Sequence, residues 1–264
     1  MAKAGSIVTV AAALLAGSVA AASAADLPVK APFVAPVVAA YDWSGWYAGV
    51  GIGALSADSR WTFFRTPAVP DIRPGTDQGM AGVHAGYQWH FKTWPNGGIV
   101  VGMEYASQFD LSENRGGVLC PNVTLQCQLR LESLQTIGGK LGLTWDRFMV
   151  YGSGGWAGGV VNTFGTPLAG GPLVSQAHVW HNGWYAGAGI DWVFYQTRGT
   201  DWIIGAEYQH IEYDTTRHLT LVGLPSGDDR DVRVTADYVK AKLTVKLNGP
   251  YWFFGGAAPV VAKY

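Results

Sequence analysis

The sequence predicts an all-β protein, specifically an eight-stranded antiparallel up-and-down transmembrane β-barrel. Three observations carry that prediction. Along Gly45–Gly53, glycine holds positions 49, 51 and 53 while Trp46, Ala48, Val50 and Ile52 hold the alternate places, and Gly183–Gly189 repeats the segment almost letter for letter. A period of two belongs to a strand with one apolar face and one bare face. Charged residues make up only 14% of the chain, against about 25% for an average soluble domain. The 12 Trp and 12 Tyr suit the two membrane–water interfaces. Finally, short turns alternate with long loops in a way that puts every short turn at one end.

The strands follow in order. After Gly45–Gly53, a loop is expected over 58–78, where prolines and mixed charge accumulate. Gly79–Phe91 alternates again, with Val83, Ala85, Tyr87, Trp89 and Phe91 on the apolar face. A turn at 93–98 leads to Ile99–Ala106, where Val101, Met103 and Tyr105 oppose Gly102 and Glu104. Leu129–Trp145 and Phe148–Val160 are joined by the two-residue turn Asp146-Arg147. Gly183–Phe194, Trp202–Tyr213 and Val239–Leu247 complete the set, with a short turn at 196–201 and loops expected at 165–172 and 219–231. Trp94, Trp145, Phe148, Phe194, Tyr195 and Trp202 gather at the short-turn end as a candidate aromatic girdle.

Residues 1–24 read as a signal peptide, with Lys3, an apolar run at Ile7–Ala16 and a small-residue cleavage site at Ala22-Ser23-Ala24. The run is too short and alanine-rich for a membrane anchor. Residues 25–42 form a Pro-rich periplasmic leader, 43–247 the barrel and 248–264 a C-terminal extension. No later stretch approaches the ~18 uninterrupted apolar residues of a membrane helix.

Alternation alone leaves open whether the apolar face meets lipid or a core. A soluble lipocalin-like barrel also has eight strands, but it has an apolar inside and a charged outside. Here Glu104, Lys140, Asp191, Glu207, Lys240, Lys242 and Lys246 share the glycine-rich face. Glycine there makes room in a narrow lumen, and three acids nearly balance four lysines. The membrane barrel is therefore the expectation.

The two cysteines, Cys120 and Cys127, lie in one loop of an exported chain, which favours a disulfide over two free thiols. Their segment has no further metal ligand. Net charge near −1 offers no footprint for nucleic acid. Among the histidines (84, 90, 178, 181, 210 and 218) none has a serine at a convincing spacing. His178 and His181 together form a candidate haem ligand pair, against the simpler reading of polar loop residues.

These residues resemble the alphaproteobacterial outer-membrane immunogenic proteins, a family of small porin-like barrels. The resemblance rests on Ala25–Pro32, Trp43–Gly49, Lys140–Arg147, Tyr151–Gly155, Gly183–Gly189, Ala206–Tyr208 and Ala258–Tyr264. Two features depart from it: Leu247 stands where the family typically ends its last strand on an aromatic, and Gly138 and Gly205 stand where it often carries a lumenal arginine.

The expected function is a non-enzymatic surface barrel of the Gram-negative outer membrane with a structural, surface-presenting role and a narrow charge-filled lumen. A small porin or ligand receptor is the alternative, and a lipid-modifying enzyme a remoter one. No cofactor or metal is expected. Partners are outer-membrane lipid and lipopolysaccharide, with the barrel-assembly machinery during biogenesis; the oligomeric state is open.

Overall fold

In the computed structural model, residues 40–64, 68–112, 116–219 and 229–248 are described. The expected signal peptide, the leader before Ala40 and the extension after Asn248 lie outside these residues. Ten strands form in chain order: β1 (Gly45–Phe63), β2 (Gly75–Trp94), β3 (Gly97–Asp110), β4 (Gly116–Leu119), β5 (Leu125–Trp145), β6 (Phe148–Pro167), β7 (Ser175–Gln196), β8 (Thr200–Tyr213), β9 (Thr216–His218) and β10 (Arg230–Leu247). Eight of them close an antiparallel ring, β1-β2-β3-β5-β6-β7-β8-β10, sealed by β10 against β1 from Tyr47↔Lys246 to Phe63↔Arg230. The two short strands are appendages: β4 pairs β5, and β9 pairs β10.

The short-turn end follows the sequence expectation. Trp145 pairs Phe148 across Asp146-Arg147, and Asp146 takes a left-handed backbone (φ 51°), which an aspartate tolerates. The long-loop end departs from it. The expected loop at 58–78 is strand at both its ends: β1 continues to Phe63, and Asp58 pairs Gly75 of β2. Likewise β6 runs to Pro167, into the loop expected at 165.

The reason lies in a change of polarity along unbroken strands. In β1, Trp46, Val50 and Ile52 face outward and are exposed, but beyond Ala54 the outward residues are Ser56, Asp58, Arg60 and Thr62. Their inward neighbours are Leu55, Ala57, Trp61 and Phe63, all buried. In β10 the outward face passes from Leu243, Ala241 and Val239 to Asp237, Thr235 and Arg233, while the inward face passes from lysines to Tyr238, Ala236, Val234 and Val232. Charges that read as loop are the wet outer face of a strand whose core face has turned inward. These inward residues join Met80, Leu131, Leu134, Val161, Ile211 and the cysteines in one apolar cluster.

Strands β3 and β8 end partway into this half, and side chains bridge the gaps beyond their ends. Between β2 and β5, the Gln78 amide imitates a strand: its carbonyl accepts from the Leu131 N–H (2.9 Å) and its NH2 donates to the Leu131 carbonyl (3.4 Å). Between β7 and β9, His181 and His218 are hydrogen bonded through their Nε2 atoms at 2.8 Å.

Candidate functional site

The predicted charged residues come from five strands, each on an inward position, and all are buried: Glu104 on β3, Lys140 on β5, Asp191 on β7, Glu207 on β8 and the three lysines on β10. Lys140 donates to Glu104 (2.9 Å) and lies 3.9 Å from Asp191. Lys242 reaches Glu207 at 3.2 Å and Asp191 at 3.6 Å, while Lys240 lies 3.3 Å from Glu207. Glu207 also accepts from Tyr151 (3.1 Å), Ser153 (3.0 Å) and Gln209 (2.9 Å), so its lone pairs are well satisfied. Glu104 accepts from Tyr47 (3.0 Å). The lysine stems cross ring faces, with the Lys140 ammonium 4.4 Å and the Lys242 ammonium 4.8 Å from the Tyr151 ring centre.

Three acids thus meet three lysines. Lys246 stands apart, pairing with Asp201 at 3.5 Å near the short-turn mouth and donating to the carbonyls of Asp42 (2.6 Å) and Ser44 (3.2 Å). Asp201, which sequence reasoning treated as part of a turn, supplies the fourth acid.

The inward glycines open space mainly for rings, rather than for charged groups alone. A Cβ at Gly86 would meet the Tyr47 hydroxyl at 2.5 Å, one at Gly138 the Tyr185 hydroxyl at 2.6 Å, and one at Gly49 the His84 ring at 2.6 Å. Gly205 instead leaves room for the Asp191 carboxylate. Where an arginine is expected in similar barrels, this chain therefore fits a tyrosine and an aspartate.

Sequence reasoning missed a second feature. Residues 41–44, just ahead of β1, turn into the short-turn mouth. Trp43 is fully buried; its indole N–H donates to the Asp146 carbonyl (3.0 Å), and its own carbonyl accepts from Gln88 (2.7 Å). The Tyr41 hydroxyl donates to Asp201 (2.7 Å). The two rings share one buried apolar cluster with Val100 of β3, Met149 and Tyr151 of β6, Val193 of β7 and Ile203 of β8. Four residues between a Pro-rich stretch and a strand carry no periodicity that would announce this.

In the long-loop half, Cys120 and Cys127 form a disulfide (S–S 2.05 Å) that staples β4 to the start of β5. His178 and His181 do not converge. Three residues apart on a strand, they face opposite ways: His178 is exposed, 3.6 Å from Glu132, and His181 is buried against His218. Burial pushes the His181 ring down to about 4, and burial, with His181 and Arg230 adding to it, pushes His218 to about 3. Both rings are therefore neutral at ordinary pH. Among the described residues, no group of three or more His, Cys, Asp or Glu side chains is placed to hold a metal ion.

The comparisons with known proteins agree with this architecture. Residues 9–239 match the family described as outer membrane protein beta-barrel domain. The chain is 29% identical over 210 residues to the 31 kDa outer-membrane immunogenic protein of Brucella melitensis, covering 72% of this chain and 80% of that protein. The Brucella suis protein of the same name matches to the same extent. Among solved structures it is similar to OprG of Pseudomonas aeruginosa (9% identity, 79% and 98% of the two chains, TM-score 0.42). It is also similar to Ail of Yersinia pestis (14% identity, 76% and 99%, TM-score 0.34). With an inward layer of charge, an outward band of apolar side chains and a family match over most of its length, the chain belongs to the outer-membrane β-barrel family, among the alphaproteobacterial outer-membrane immunogenic proteins, and resides in the cell outer membrane.

Proposed function

We propose that this protein is a non-conducting, non-enzymatic surface barrel, whose charge-filled lumen ties its strands together within the membrane while its long-loop half is presented outside. The observation that carries the reading is closure in series. From the periplasmic side a solute would meet the Tyr41–Trp43 plug, then the three-acid, three-lysine layer, then the apolar interior of the outer half. An eight-stranded ring leaves an interior only just wide enough for its own side chains. The charge layer is also neutral as a whole, its three acids lying beside three lysines.

Catalysis finds little support. Three histidines are hydrogen bonded to hydroxyls, His84 to Thr244, His90 to Thr144 and His218 to Thr163, and all three threonines are buried inside the barrel. A lipid substrate reaches only the outside of the wall.

Planar-bilayer recording on the purified full-length chain tests the reading. No steady channel is expected. A large, stable conductance would remove the closed-lumen function and favour a small porin.

A further inference from the structure

We propose that Trp156, Trp180 and Trp184 form a saccharide-binding shelf on the outer wall, which takes the core sugars of lipopolysaccharide in the outer leaflet. The shelf is set by β6 and β7. Trp156 and Trp184 are direct cross-strand partners, Gly158 pairs Asn182 next on the same face, and Val160 pairs Trp180 beyond that. The Trp156 and Trp180 rings lie nearly parallel, 23° apart with centres at 6.3 Å. Both rest on Gly158, where a Cβ would stand 2.6 Å from Trp180 Cζ2 and closer still to Trp156. Gly158 lets the two indoles lie flat on the wall. The Trp180 N–H is held by the Asn182 side-chain oxygen at 3.0 Å, so that ring is fixed in orientation.

The position of Trp180 distinguishes this shelf from an ordinary aromatic belt. Belt residues sit where the apolar band ends. On the outward face of β7 the band ends at Trp184, and the next outward residue is the exposed Asn182; Trp180 stands beyond it, followed by the exposed His178. Trp184 is itself in register with Glu212 of β8. The stacked pair therefore reaches past the acyl zone into the headgroup layer, which in the outer leaflet of this membrane is sugar.

The chemistry fits a pyranose ring. Such a ring has one face of electropositive C–H groups and a rim of hydroxyls. The face suits the negative π-surface of an indole. The rim needs donors and acceptors beside the ring, and here these are Asn182, His178 and Glu132, with His178 and Glu132 already 3.6 Å apart. Two rigid indoles lose little side-chain entropy on binding.

The test uses the full chain folded in sugar-free phospholipid vesicles and, as probe, delipidated lipopolysaccharide core oligosaccharide, read by saturation-transfer NMR. Transfer to the sugar C–H protons is expected for the wild type. Trp180→Ala should weaken binding at least tenfold, and Gly158→Ala, which keeps both indoles but lifts them, should weaken it severalfold. Trp192→Ala, an exposed ring at the other end of the wall, should leave it unchanged. Heat-modifiable migration in electrophoresis establishes that each variant is folded. Absence of transfer to the wild type, or equal binding by Trp180→Ala, overturns the proposal. So does displacement of the oligosaccharide by added anionic phospholipid, which would assign the shelf to a phospholipid headgroup.

Discussion

The inner and outer halves of the barrel are built from the same strands with opposite polarity. Within the membrane the wall is apolar and the interior holds Glu104, Lys140, Asp191, Glu207, Lys240 and Lys242. Beyond it the wall carries Asp58, Arg60, Arg233 and Asp237, while the interior holds Leu55, Trp61, Leu131, Leu134 and Val234. The solvent outside the wall decides what fills the inside. Where the wall meets lipid, burying an apolar side chain gains nothing over leaving it in hydrocarbon, so the cohesion must come from polar groups that find each other inside. Where the wall meets water, apolar burial again becomes the driving force, and the strands pack like a soluble barrel. On β1 and β10 the switch takes two residues: Ala54 to Ser56 outside β1, and Val239 to Asp237 outside β10.

The contrast breaks most severely where the inner half loses one member of its charge layer. Lys140→Met strands Glu104 in the interior and should cost about 3–5 kcal/mol, measured by urea unfolding in lipid vesicles. The double variant Lys140→Met/Glu104→Gln should recover much of that loss, because no buried charge is then left unpaired. Equal destabilisation by single and double variants would show that shape, not charge pairing, holds this half together.

The boundary itself can be located with one pair of variants on β1. Ile52→Lys puts an ammonium on the lipid-facing wall and should cost about 2–4 kcal/mol. Ser56→Lys, four residues on and on the same face, should cost at most about 1 kcal/mol. Similar losses at both sites would move the membrane boundary outward and undo the contrast between the halves.

The inner half is legible in the sequence for a physical reason. Alternation of apolar residues with glycine and buried charge suits a wall between lipid and a narrow lumen, and each interior charge stands at a position of fixed parity along its strand. The outer half keeps the same period but reverses its sign, so Asp58, Arg60 and the prolines after them look like loop composition. Only the pairing of Asp58 with Gly75 across the ladder reveals strand. The ring-over-glycine contacts, such as Tyr47 over Gly86, depend on register between strands, which no single strand carries. Asp201 looked like a turn residue because its partner, Lys246, lies on another strand.

Acid should loosen the outer half through its histidine pair. The His181 and His218 rings are held down at about 4 and about 3 against an ordinary value of 6.5. Above 6.5 both folded and unfolded chains carry neutral rings, and the pair contributes in full. As pH falls below 6.5 the unfolded chain takes up protons that the folded pair refuses, so stability drops progressively toward pH 4. By pH 5.5 the loss should be on the order of 1 kcal/mol per imidazole. Amide protection in β7 and β9, corrected for the intrinsic pH dependence of exchange, should fall over this interval, and a His181→Leu/His218→Leu variant should show no such fall. Protection that is flat with pH in the wild type would mean that the rings titrate normally.

The smallest expected effect sharpens the contrast most, because it repeats the chemistry of the first. Arg233 and Glu212 form an ion pair on the outer wall, a cation and a glutamate like Lys140 and Glu104 but in solvent-exposed surroundings. Both outer side chains reach solvent, so water screens their attraction and takes over each partner when the other is removed. Arg233→Met should therefore cost no more than about 1 kcal/mol, and adding salt should shrink even that. The inner pair should respond little to salt, since both of its side chains are buried. If urea unfolding shows Arg233→Met to be as damaging as Lys140→Met, the outer wall is not facing water at that level, and the inversion of polarity along β10 needs another cause.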